Sequence, residues 1–567
     1  MVSRRRVTAI GLVVLIGGLA ACAPGLPATV VPDTRVALGW SGELTSLNPD
    51  AAPTAANLDI AAATRAGFGD MVDGAFVADE SFGKVSIVSD EPFTVRYDLT
   101  EPVWSDGIPL DAADLALGWA AGAGYFEQNE DAAAADTEPL DPPVLATLDE
   151  FGRSIEVTFP EPAIAWQSAV DVPVPAHVVG AYAFGLDDAM EAKQAVIRAI
   201  QDEDASALAA IADVWGAAFD VTEKTEIPAE LLLSSGPFQV DEVDRGEEGQ
   251  SVTLVPNPAY RGAVTPQVAQ VDLVPPGDDP VAAVGDLIDV VQVAPTPENR
   301  PSIRELERRD FTVQTTHDGY VWTVLLNPAG VFTTPAARTA FLRTVPTRDM
   351  IERGAGEWSQ AYTATTSLTT APNSPAYQIV SEDSGFATVL GSTSQEPALE
   401  REAAGIPAGS PVCVLYDRSS AFAAGAFTAL RDAVAEAGWT AVDCGSDDID
   451  GAMGQRAWDA VIARVPIPET PAQLAAQWGT ASESSLTGQS DAERDALIGQ
   501  LAQTVDVYEA REVLAQIEAT IVRAAVARPL AVSPRVTIAD RDVTGVSARS
   551  GLAAPLLSGA AQWATAP

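Results

Sequence analysis

The N-terminal segment places the strongest constraint on this chain, because it determines the compartment in which the rest must fold. Arg4, Arg5 and Arg6 precede an apolar run over residues 9–18, and small residues follow that run. A basic start, a short apolar stretch and small residues before a cleavage point are typical of an export signal. The run is shorter than the roughly 20 apolar residues that cross a bilayer. We therefore expect residues 1–21 to be removed and the remainder to fold outside the cytoplasm.

A Leu-Ala-Ala-Cys motif ends the signal at Cys22 and resembles a bacterial lipobox. The resemblance implies cleavage before Cys22 and lipid attachment to its thiol; an ordinary secretory signal or an N-terminal membrane helix are the alternatives. Residues 22–34 predict a flexible tether. No later stretch is apolar enough over about 18 to 20 residues to span a membrane. We expect the protein to be anchored on the outer face of the cytoplasmic membrane through this lipid.

Length and composition predict a large folded protein. The 567 residues suit three or four domain-sized units, and 47% apolar residues suffice for several cores. The formal charge of -46 argues against nucleic acid as a partner, since phosphate binding needs clustered Lys and Arg. The same charge argues against broad adhesion to anionic lipid, which leaves Cys22 as the evident membrane tether.

Two further cysteines lie in a strand–helix–strand pattern. A strand around Cys413 is followed by helical spacing over 427–437, which ends at Gly438, and then by a second strand over 440–444 that ends in Cys444. Neighbouring parallel strands would bring the two sulfurs within bonding range, and an oxidising exterior permits a disulfide. The alternative is two buried free thiols. Neither indicates catalysis.

The remaining periodicity is that of a mixed α/β protein without a short internal repeat. Alternating and apolar runs predict strands, and spacings of three and four predict helices. We predict strands over 36–40, 93–99, 154–159, 251–255 and 323–327, helical segments over 187–216 and 491–527, and surface loops over 131–143 and 359–376.

Common catalytic motifs are missing from the sequence. It contains no glycine-rich phosphate loop, His-Glu-x-x-His, Cys-x-x-Cys or Gly-x-Ser-x-Gly. Only His177 and His317 are available to histidine-based metal sites. We expect His177 to be structural and His317 to lie on a loop. The chain is therefore interpreted as a non-enzyme without a cofactor or metal.

Several sequence blocks occur together in one order. They are 47–49, 95–99, 103–110, 113–115, 175–178, 235–240, 252–254, 257–260, 285–289, 506–511 and 528–530. The set resembles family 5 of the bacterial solute-binding proteins, which includes dipeptide-, oligopeptide- and nickel-binding subunits. The most specific block contains a Trp-Ser-Asp-Gly turn at Trp104–Gly107.

This most specific block also has local structural reasons. Asp106 and Gly107 favour a turn, because Asp bonds nearby backbone and Gly adopts positive φ. Trp104 offers a large apolar face to anchor the turn, and Asp111 is a plausible cap for the next helix. We therefore expect these residues to hold the fold together without contacting ligand.

The resemblance implies an α/β fold of the periplasmic-binding-protein kind, type II, in the three-domain peptide-binding subclass. Two lobes would enclose a cleft and close on ligand about a hinge near residues 290 and 528. The implied domains are domain I over 35–55, 166–290 and 528–567, domain II over 56–165, and domain III over 291–527.

The resemblance also implies a function. The chain would be the extracytoplasmic substrate-binding subunit of an ABC importer, capturing di- or oligopeptides and delivering them, as a monomer, to a membrane permease and its ATPase. Alternatives are a solute-binding lipoprotein for a non-peptide solute, or a sensor or adhesion lipoprotein without a transport role.

Candidate ligand residues follow from position in the implied fold. Peptide-binding members anchor the peptide amine on an aspartate in a Trp-rich segment, but the matching position here falls near Ile467. Glu469 would replace that acid, or Arg464 would hold a carboxylate by bidentate bonds; both facing solvent is the alternative. Further candidates for lining the cleft, with core packing as their alternative, are Thr54, Asn57, Tyr320 and Trp322.

Overall fold

The computed structural model describes residues 26–126, 143–148, 152–222, 224, 226–247, 249–391, 396–480, 482, 484–552 and 554–566. The predicted export signal, Cys22 and the predicted loop up to residue 142 lie outside these ranges.

Strands and helices alternate along most of the described chain. In chain order the strands are β1 (Val31–Gly39), β2 (Gly69–Val72), β3 (Ala75–Ala78), β4 (Gly83–Asp90), β5 (Phe93–Leu99), β6 (Val144–Leu148), β7 (Ser154–Thr158), β8 (Phe238–Gly246), β9 (Gly249–Pro256), β10 (Val268–Val274), β11 (Val290–Val293), β12 (Thr312–Leu326), β13 (Ser410–Tyr416), β14 (Trp439–Asp443), β15 (Ala460–Pro466), β16 (Ala527–Ala539), β17 (Val543–Thr544) and β18 (Ala564–Thr565). The helices are α1 (Ala55–Thr64), α2 (Ala112–Gly122), α3 (Ala176–Phe184), α4 (Ala189–Gln201), α5 (Ala205–Asp213), α6 (Pro280–Ala283), α7 (Arg300–Arg308), α8 (Pro335–Leu342), α9 (Thr347–Ala355), α10 (Tyr377–Asp383), α11 (Phe386–Val389), α12 (Pro397–Ala403), α13 (Ala421–Glu436), α14 (Ile449–Gly454), α15 (Pro471–Trp478), α16 (Ala492–Gln503) and α17 (Val507–Ala524).

A ten-stranded sheet runs through the molecule in the order β14-β13-β15-β12-β16-β11-β1-β10-β9-β8. β1 is parallel to β10 and β11, and β13 is parallel to β14 and β15. The long strands β12 and β16 pair antiparallel between these two parallel groups. A separate four-stranded sheet has the order β4-β5-β7-β6.

Buried apolar side chains form three clusters around this sheet. One joins β1, β5, β7–β10 and α1–α5 to the C-terminal residues 543–563, and we call these elements the first lobe. The other two cover opposite faces of β12, because alternate residues of a strand point to opposite faces. They bring in β13–β15, α8, α9, α13 and α15–α17, which together with β12 we call the second lobe. β11 and β16 contribute buried residues to both lobes.

Three sequence predictions need correction. β1 begins at Val31, inside the predicted tether, because its backbone continues to pair with β10 at Val268. The predicted helix over 491–527 is two helices, α16 and α17, since Asp506 accepts hydrogen bonds from the first backbone N–H groups of α17 and so starts a new helix. His317 lies in β12 and not on a loop.

The loop over 359–376, predicted to lie on the surface, is instead buried in its central part, at residues 365 and 367–371, through a carboxylate that the sequence pattern did not reveal. Glu518 of α17 is fully buried and accepts hydrogen bonds from the backbone N–H groups of Leu368 and Thr369 and from the hydroxyls of Ser367 and Thr369. Burial raises the pKa of Glu518, and these hydrogen bonds oppose that rise. A buried loop needs such partners for its polar backbone.

The Trp-Ser-Asp-Gly turn has the structural role that the sequence predicts. Gly107 has a φ of 88°, and Asp106 accepts a hydrogen bond from the Ile108 N–H and contacts His177 at 3.0 Å. Trp104 is fully buried, and its Nε1 donates to Asp114 Oδ1 at 3.2 Å. Asp111 caps α2, as expected.

A buried lysine completes this network. Lys193 Nζ of α4 lies 2.8 Å from Asp114 Oδ2 and 3.0 Å from Asp111 Oδ2, and donates to the Pro109 carbonyl. Burial alone would lower the pKa of Lys193, but the two aspartates outweigh it and raise that pKa. The family-like turn, α2 and α4 are thus tied together by charge inside the first lobe.

Cys413 of β13 and Cys444, directly after β14, form a disulfide with their Cα atoms 5.6 Å apart. Parallel pairing of the two strands places Cys413 opposite Val442, two residues before Cys444. The disulfide therefore staples one edge of the large sheet.

We predict that Lys193→Met lowers the free energy of unfolding by about 3–5 kcal/mol, because it leaves Asp114 buried without its cation. Lys84→Met is the matched control, since Lys84 is exposed on β4 and should tolerate the change within about 0.5 kcal/mol. Urea unfolding of both variants measures the difference. Equal losses in the two variants would contradict this role of Lys193.

We predict that Glu518→Ala lowers the free energy of unfolding by about 3 kcal/mol, because buried donors of the loop lose their acceptor. Hydrogen exchange at the Leu368 and Thr369 amides should accelerate in this variant. Glu512→Ala, on an exposed position of the same helix, should change neither quantity. Unchanged protection of the two amides in Glu518→Ala would show that the loop does not depend on this carboxylate.

Candidate ligand-binding site between the lobes

An irregularity in the β12–β16 ladder marks the candidate site. His317 pairs with Pro534 and Val321 with Val532, so that residues 318–320 stand opposite the single residue Ser533. Such bulges turn side chains out of a regular ladder and often occur beside functional sites. Gly319 has a φ of 86°, and a Cβ there would lie 2.3 Å from the Leu552 nitrogen. Glycine is thus required at this point. The bulge changes the direction of the Asp318 and Tyr320 side chains relative to a regular ladder.

Arg464 of β15 lies over the bulge. Its Nη2 is paired with Asp318 Oδ2, and its Nε donates to Ser533 Oγ at 3.4 Å. The guanidinium carbon stands 3.7 Å from the centre of the Tyr320 ring, a cation–π geometry. The Arg464 side chain nevertheless keeps 39% of its exposure, whereas Asp318 keeps 13%. The cluster therefore presents an oriented guanidinium to solvent above a largely buried carboxylate.

Aromatic rings continue the site on the second lobe. Trp322 stacks on Phe422 at 4.4 Å between centroids, and Phe422 stacks on Tyr362 at 4.9 Å. The pKa of Tyr362 is raised to about 12, mainly by burial and also by Asp318, while Arg464 opposes this rise. Tyr362 therefore lies within electrostatic range of the Arg464–Asp318 pair. Trp322 itself is buried in the core, so Tyr320 and Tyr362 are the rings nearer the charged groups.

Arg535 of β16 is a second cation of the site. Its Nη2 donates to the carbonyls of Asp318 at 3.4 Å and Gly551 at 3.3 Å. Burial lowers the pKa of Arg535, while Asp318 and Asp59 oppose that change. Arg535 thus joins Asp318 of the second lobe to Gly551 of the first lobe by hydrogen bonds, and Asp59 lies within electrostatic range of it.

The first lobe contributes Trp40 and Asp59 to the same region. Trp40 directly follows β1, at the carboxyl end of a parallel strand, where α/β sheets commonly bind ligands. Its Nε1 donates to Asp59 Oδ2 at 3.0 Å. Burial raises the pKa of Asp59, opposed by the Trp40 hydrogen bond and by Arg535. Asp59 of the first lobe therefore lies within electrostatic range of Arg535.

The other residues singled out from the sequence have local partners. Thr54 caps α1 by accepting from the Asn57 N–H. Asn57 is buried, and its amide binds the Thr45 hydroxyl and the Ala52 carbonyl. Glu469 Oε1 accepts from the Leu552 N–H at 3.0 Å and so fastens the loop after β17 to the second lobe.

A β-hairpin of the first lobe reaches the second lobe beside this site. β2 and β3 are joined through Asp73 and Gly74, both with positive φ. Asp73 Oδ1 accepts from Asn373 Nδ2 at 3.2 Å, and Asn373 Oδ1 lies 3.1 Å from His317 Nε2. Asp70 pairs with Arg549 at 3.0 Å. The contacts through Asn373 and His317 thus join the hairpin to the second lobe, whereas the Asp70–Arg549 pair joins it to the C-terminal part of the first lobe.

Sequence reasoning missed Asp318, Arg535, Tyr362, Asp59 and Trp40 as members of the site. One signal was present, because Asp318-Gly319 is a turn dipeptide inside an apolar run and indicates a bulge. The remaining residues come from distant parts of the chain, and only the sheet order brings them together.

The described ranges contain neither a candidate metal-binding cluster nor a helix suited to cross a membrane. Within them, no group of three or more His, Cys, Asp or Glu side chains is arranged to hold a metal ion. Nor does any helix in this part of the chain combine the length and apolar character needed to cross a bilayer.

Known proteins resemble this chain in sequence and in fold. The family described as "Bacterial extracellular solute-binding proteins, family 5 Middle" matches residues 85–442. An uncharacterized lipoprotein of Mycobacterium tuberculosis is 27% identical over 473 residues, covering 78% of this chain and 77% of the relative. One of Mycobacterium leprae is 27% identical over 367 residues, covering 62% and 60%.

Solved structures show the same architecture. A periplasmic EDTA-binding protein, EppA, superposes with a TM-score of 0.73 at 17% identity, covering 96% of this chain and 98% of its own. The ABC transporter substrate-binding protein CtaP from Listeria monocytogenes gives 0.71 at 16% identity, covering 94% and 99%. The oligopeptide-binding protein AppA from Bacillus subtilis, bound to a nonapeptide, gives 0.60 at 13% identity, covering 94% and 99%.

These matches confirm the predicted fold class, a mixed α/β protein with the architecture of periplasmic solute-binding proteins. The relatives in mycobacteria are lipoproteins, and the matching family is extracellular. Because the family match covers more than half of its residues, the chain belongs to the bacterial extracellular solute-binding proteins, family 5.

Proposed function

We propose that this protein is the extracytoplasmic substrate-binding subunit of an ABC importer, that it captures di- or oligopeptides between its lobes, and that it passes them to a membrane permease and its ATPase. The observation that carries the peptide assignment is the exposed, oriented guanidinium of Arg464 beside aromatic rings. A guanidinium binds a carboxylate through two parallel hydrogen bonds, and rings accept apolar side chains.

Arg464 is a stronger ligand candidate than Glu469. Asp318 and Tyr320 hold the guanidinium in place, and the Arg464 side chain remains partly exposed to solvent. The Glu469 carboxylate already accepts a hydrogen bond from the Leu552 N–H, and the Glu469 N–H donates to the Gln473 side chain. Replacing Glu469 would therefore loosen the loop after β17 that contains Leu552. Replacing Arg464 would remove a partly exposed guanidinium that can bind a ligand carboxylate.

Two strands connect the lobes and suggest where a closing motion would have its hinge. β11 and β16 contribute to both hydrophobic clusters, and they lie at the predicted crossings near residues 290 and 528. We assign the hinge to these crossings and keep domains I, II and III at the boundaries predicted above. A ligand that contacts both lobes shifts the population toward the closed form, which a permease can distinguish.

Membrane attachment in this proposal runs through Cys22, whose lipid would hold the subunit near the permease as a monomer. The lipoprotein relatives support the anchor. A solute-binding lipoprotein for a non-peptide solute is the second candidate, since a structural neighbour binds EDTA. A sensor or adhesion lipoprotein without a transport role is the third candidate, and its function would not depend on a permease.

We predict that the soluble part of the protein, residues 23–567 produced without the lipid-bearing Cys22, carries or binds short peptides. Native mass spectrometry after gentle purification should show added masses that match peptides. A peptide at 100 times its dissociation constant should raise the free energy of unfolding by about 2.7 kcal/mol. If no peptide library shifts the thermal midpoint while a sugar, chelator or metal complex does, the peptide assignment is wrong.

We predict that Arg464→Ala weakens peptide affinity at least tenfold, because the ligand carboxylate loses a charge-assisted bidentate partner worth about 1.5–3 kcal/mol. Glu469→Ala should have a smaller effect. Arg348→Ala, which removes an exposed arginine of α9 that pairs with Glu352, is the matched control and should bind like the wild type. Isothermal titration with one peptide measures all three. Wild-type affinity in both Arg464→Ala and Glu469→Ala would exclude these residues as ligand contacts.

A further inference from the structure

We propose that domain II, residues 56–165, is a clasp that holds the closed form of the protein by binding domain III at two places. The clasp presupposes the closing motion proposed above, but it does not depend on which ligand is bound. It gives domain II a task that is separate from ligand contact.

The path of the chain allows contacts between domains II and III to break when the lobes separate. The lobes are connected through β11 and β16, at the crossings near residues 290 and 528. Both crossings join domain I to domain III, whereas domain II begins and ends inside domain I. Every contact between domains II and III is therefore non-covalent. Such contacts stabilise only the arrangement of the lobes in which they form.

The first contact is an exchange of apolar side chains between the lobes. Ile164, which follows β7 in domain II, packs against a buried cluster of the second lobe. Val505, between α16 and α17 of domain III, packs against the buried cluster of the first lobe. Both side chains are half-buried, so each removes apolar surface from water through its contact with the opposite lobe.

Polar groups fix the register of this exchange. The Ile164 N–H donates to the Ala502 carbonyl at 2.9 Å. Ala502 lies in the last turn of α16, where carbonyl oxygens have no partner within the helix. The Gln503 side chain donates to the Glu161 carboxylate. The end of α16 is therefore capped by a donor from domain II.

The second contact is made by the tip of the β2–β3 hairpin, and its hydrogen bonds have a fixed direction. The Gly319 N–H donates to His317 Nδ1 at 3.3 Å, so Nε2 carries the proton of the neutral ring. His317 Nε2 then donates to Asn373 Oδ1 at 3.1 Å, and Asn373 Nδ2 donates to Asp73 Oδ1 at 3.2 Å. A chain of hydrogen bonds thus runs from the bulge of the candidate ligand site to domain II.

The separation of the lobes can be measured without a ligand. In the soluble part, residues 23–567, Cys413 and Cys444 form a disulfide, so introduced cysteines supply the only free thiols. Lys84→Cys in β4 and Arg348→Cys in α9 lie at exposed positions of the two lobes. Spin labels on these two thiols report the distance between the lobes by double electron–electron resonance. This doubly labelled protein is the parent for the clasp variants.

The clasp predicts graded effects on the parent. Ile164→Asp should lower the ratio of closed to open molecules about tenfold, because it removes apolar burial and places a charge against the second lobe. Asn373→Ala should lower that ratio about twofold, because exposed hydrogen bonds exchange with water at a small net gain. Val507→Asp is the matched control, since this exposed residue lies two positions after Val505, and it should leave the distances unchanged.

Unchanged distances in either Ile164→Asp or Asn373→Ala would overturn the two-point clasp, and so would an equal shift in Val507→Asp. Asn373 is exposed, so its replacement still decides the matter if Ile164→Asp does not fold. Because no ligand is added, the result is separate from the peptide proposal. Peptide binding with unchanged distances would leave the proposed function standing without the clasp. The predicted shifts in a protein that binds no peptide would leave the clasp standing without that function.

Discussion

The pairing of β12 with β16 is the interaction on which the rest of the structure depends. These two strands lie between the two parallel groups of the large sheet, and their alternate side chains enter clusters on both faces. Antiparallel pairing of long strands fixes their register over many residues. Because side chains on both faces of β12 are buried, a shift of the register by one residue would misplace all of them. The same ladder contains the bulge at residues 318–320, so the element that joins the lobes also aims the charged groups between them.

The charged groups of the molecule differ in how completely their neighbours satisfy them. Lys193 and Glu518 are fully buried and meet enough partners to satisfy their polar atoms. Arg464 and Asp59 are held by neighbours but are not enclosed by them. Buried ionic groups are stable only when paired and hydrogen-bonded. Groups that are oriented yet incompletely neutralised would gain from a charged ligand, which is the reason for proposing Arg464 as a ligand contact.

Local patterns in the sequence were sufficient for features that depend on a few neighbouring residues. The turn at Asp106-Gly107, the Asp111 cap and the strand–helix–strand unit around Cys413 all follow from short-range chemistry. The same reasoning failed where a contact came from far away. The loop over 359–376 is rich in Thr and Ser and was expected at the surface, yet Glu518 reaches it from α17 and makes burial favourable.

The site shows why long-range order limits prediction from a single sequence. Arg464 was found because its segment matches a family position, but its partner Asp318 is 146 residues away and carries no local signal of pairing. Trp40, Asp59 and Arg535 are likewise joined only because β1 and β16 each flank β11 in the sheet. The identity of a ligand depends on such combinations of distant charges. A family can therefore be recognised from its turns and caps while its specificity lies in residues that those motifs do not contain.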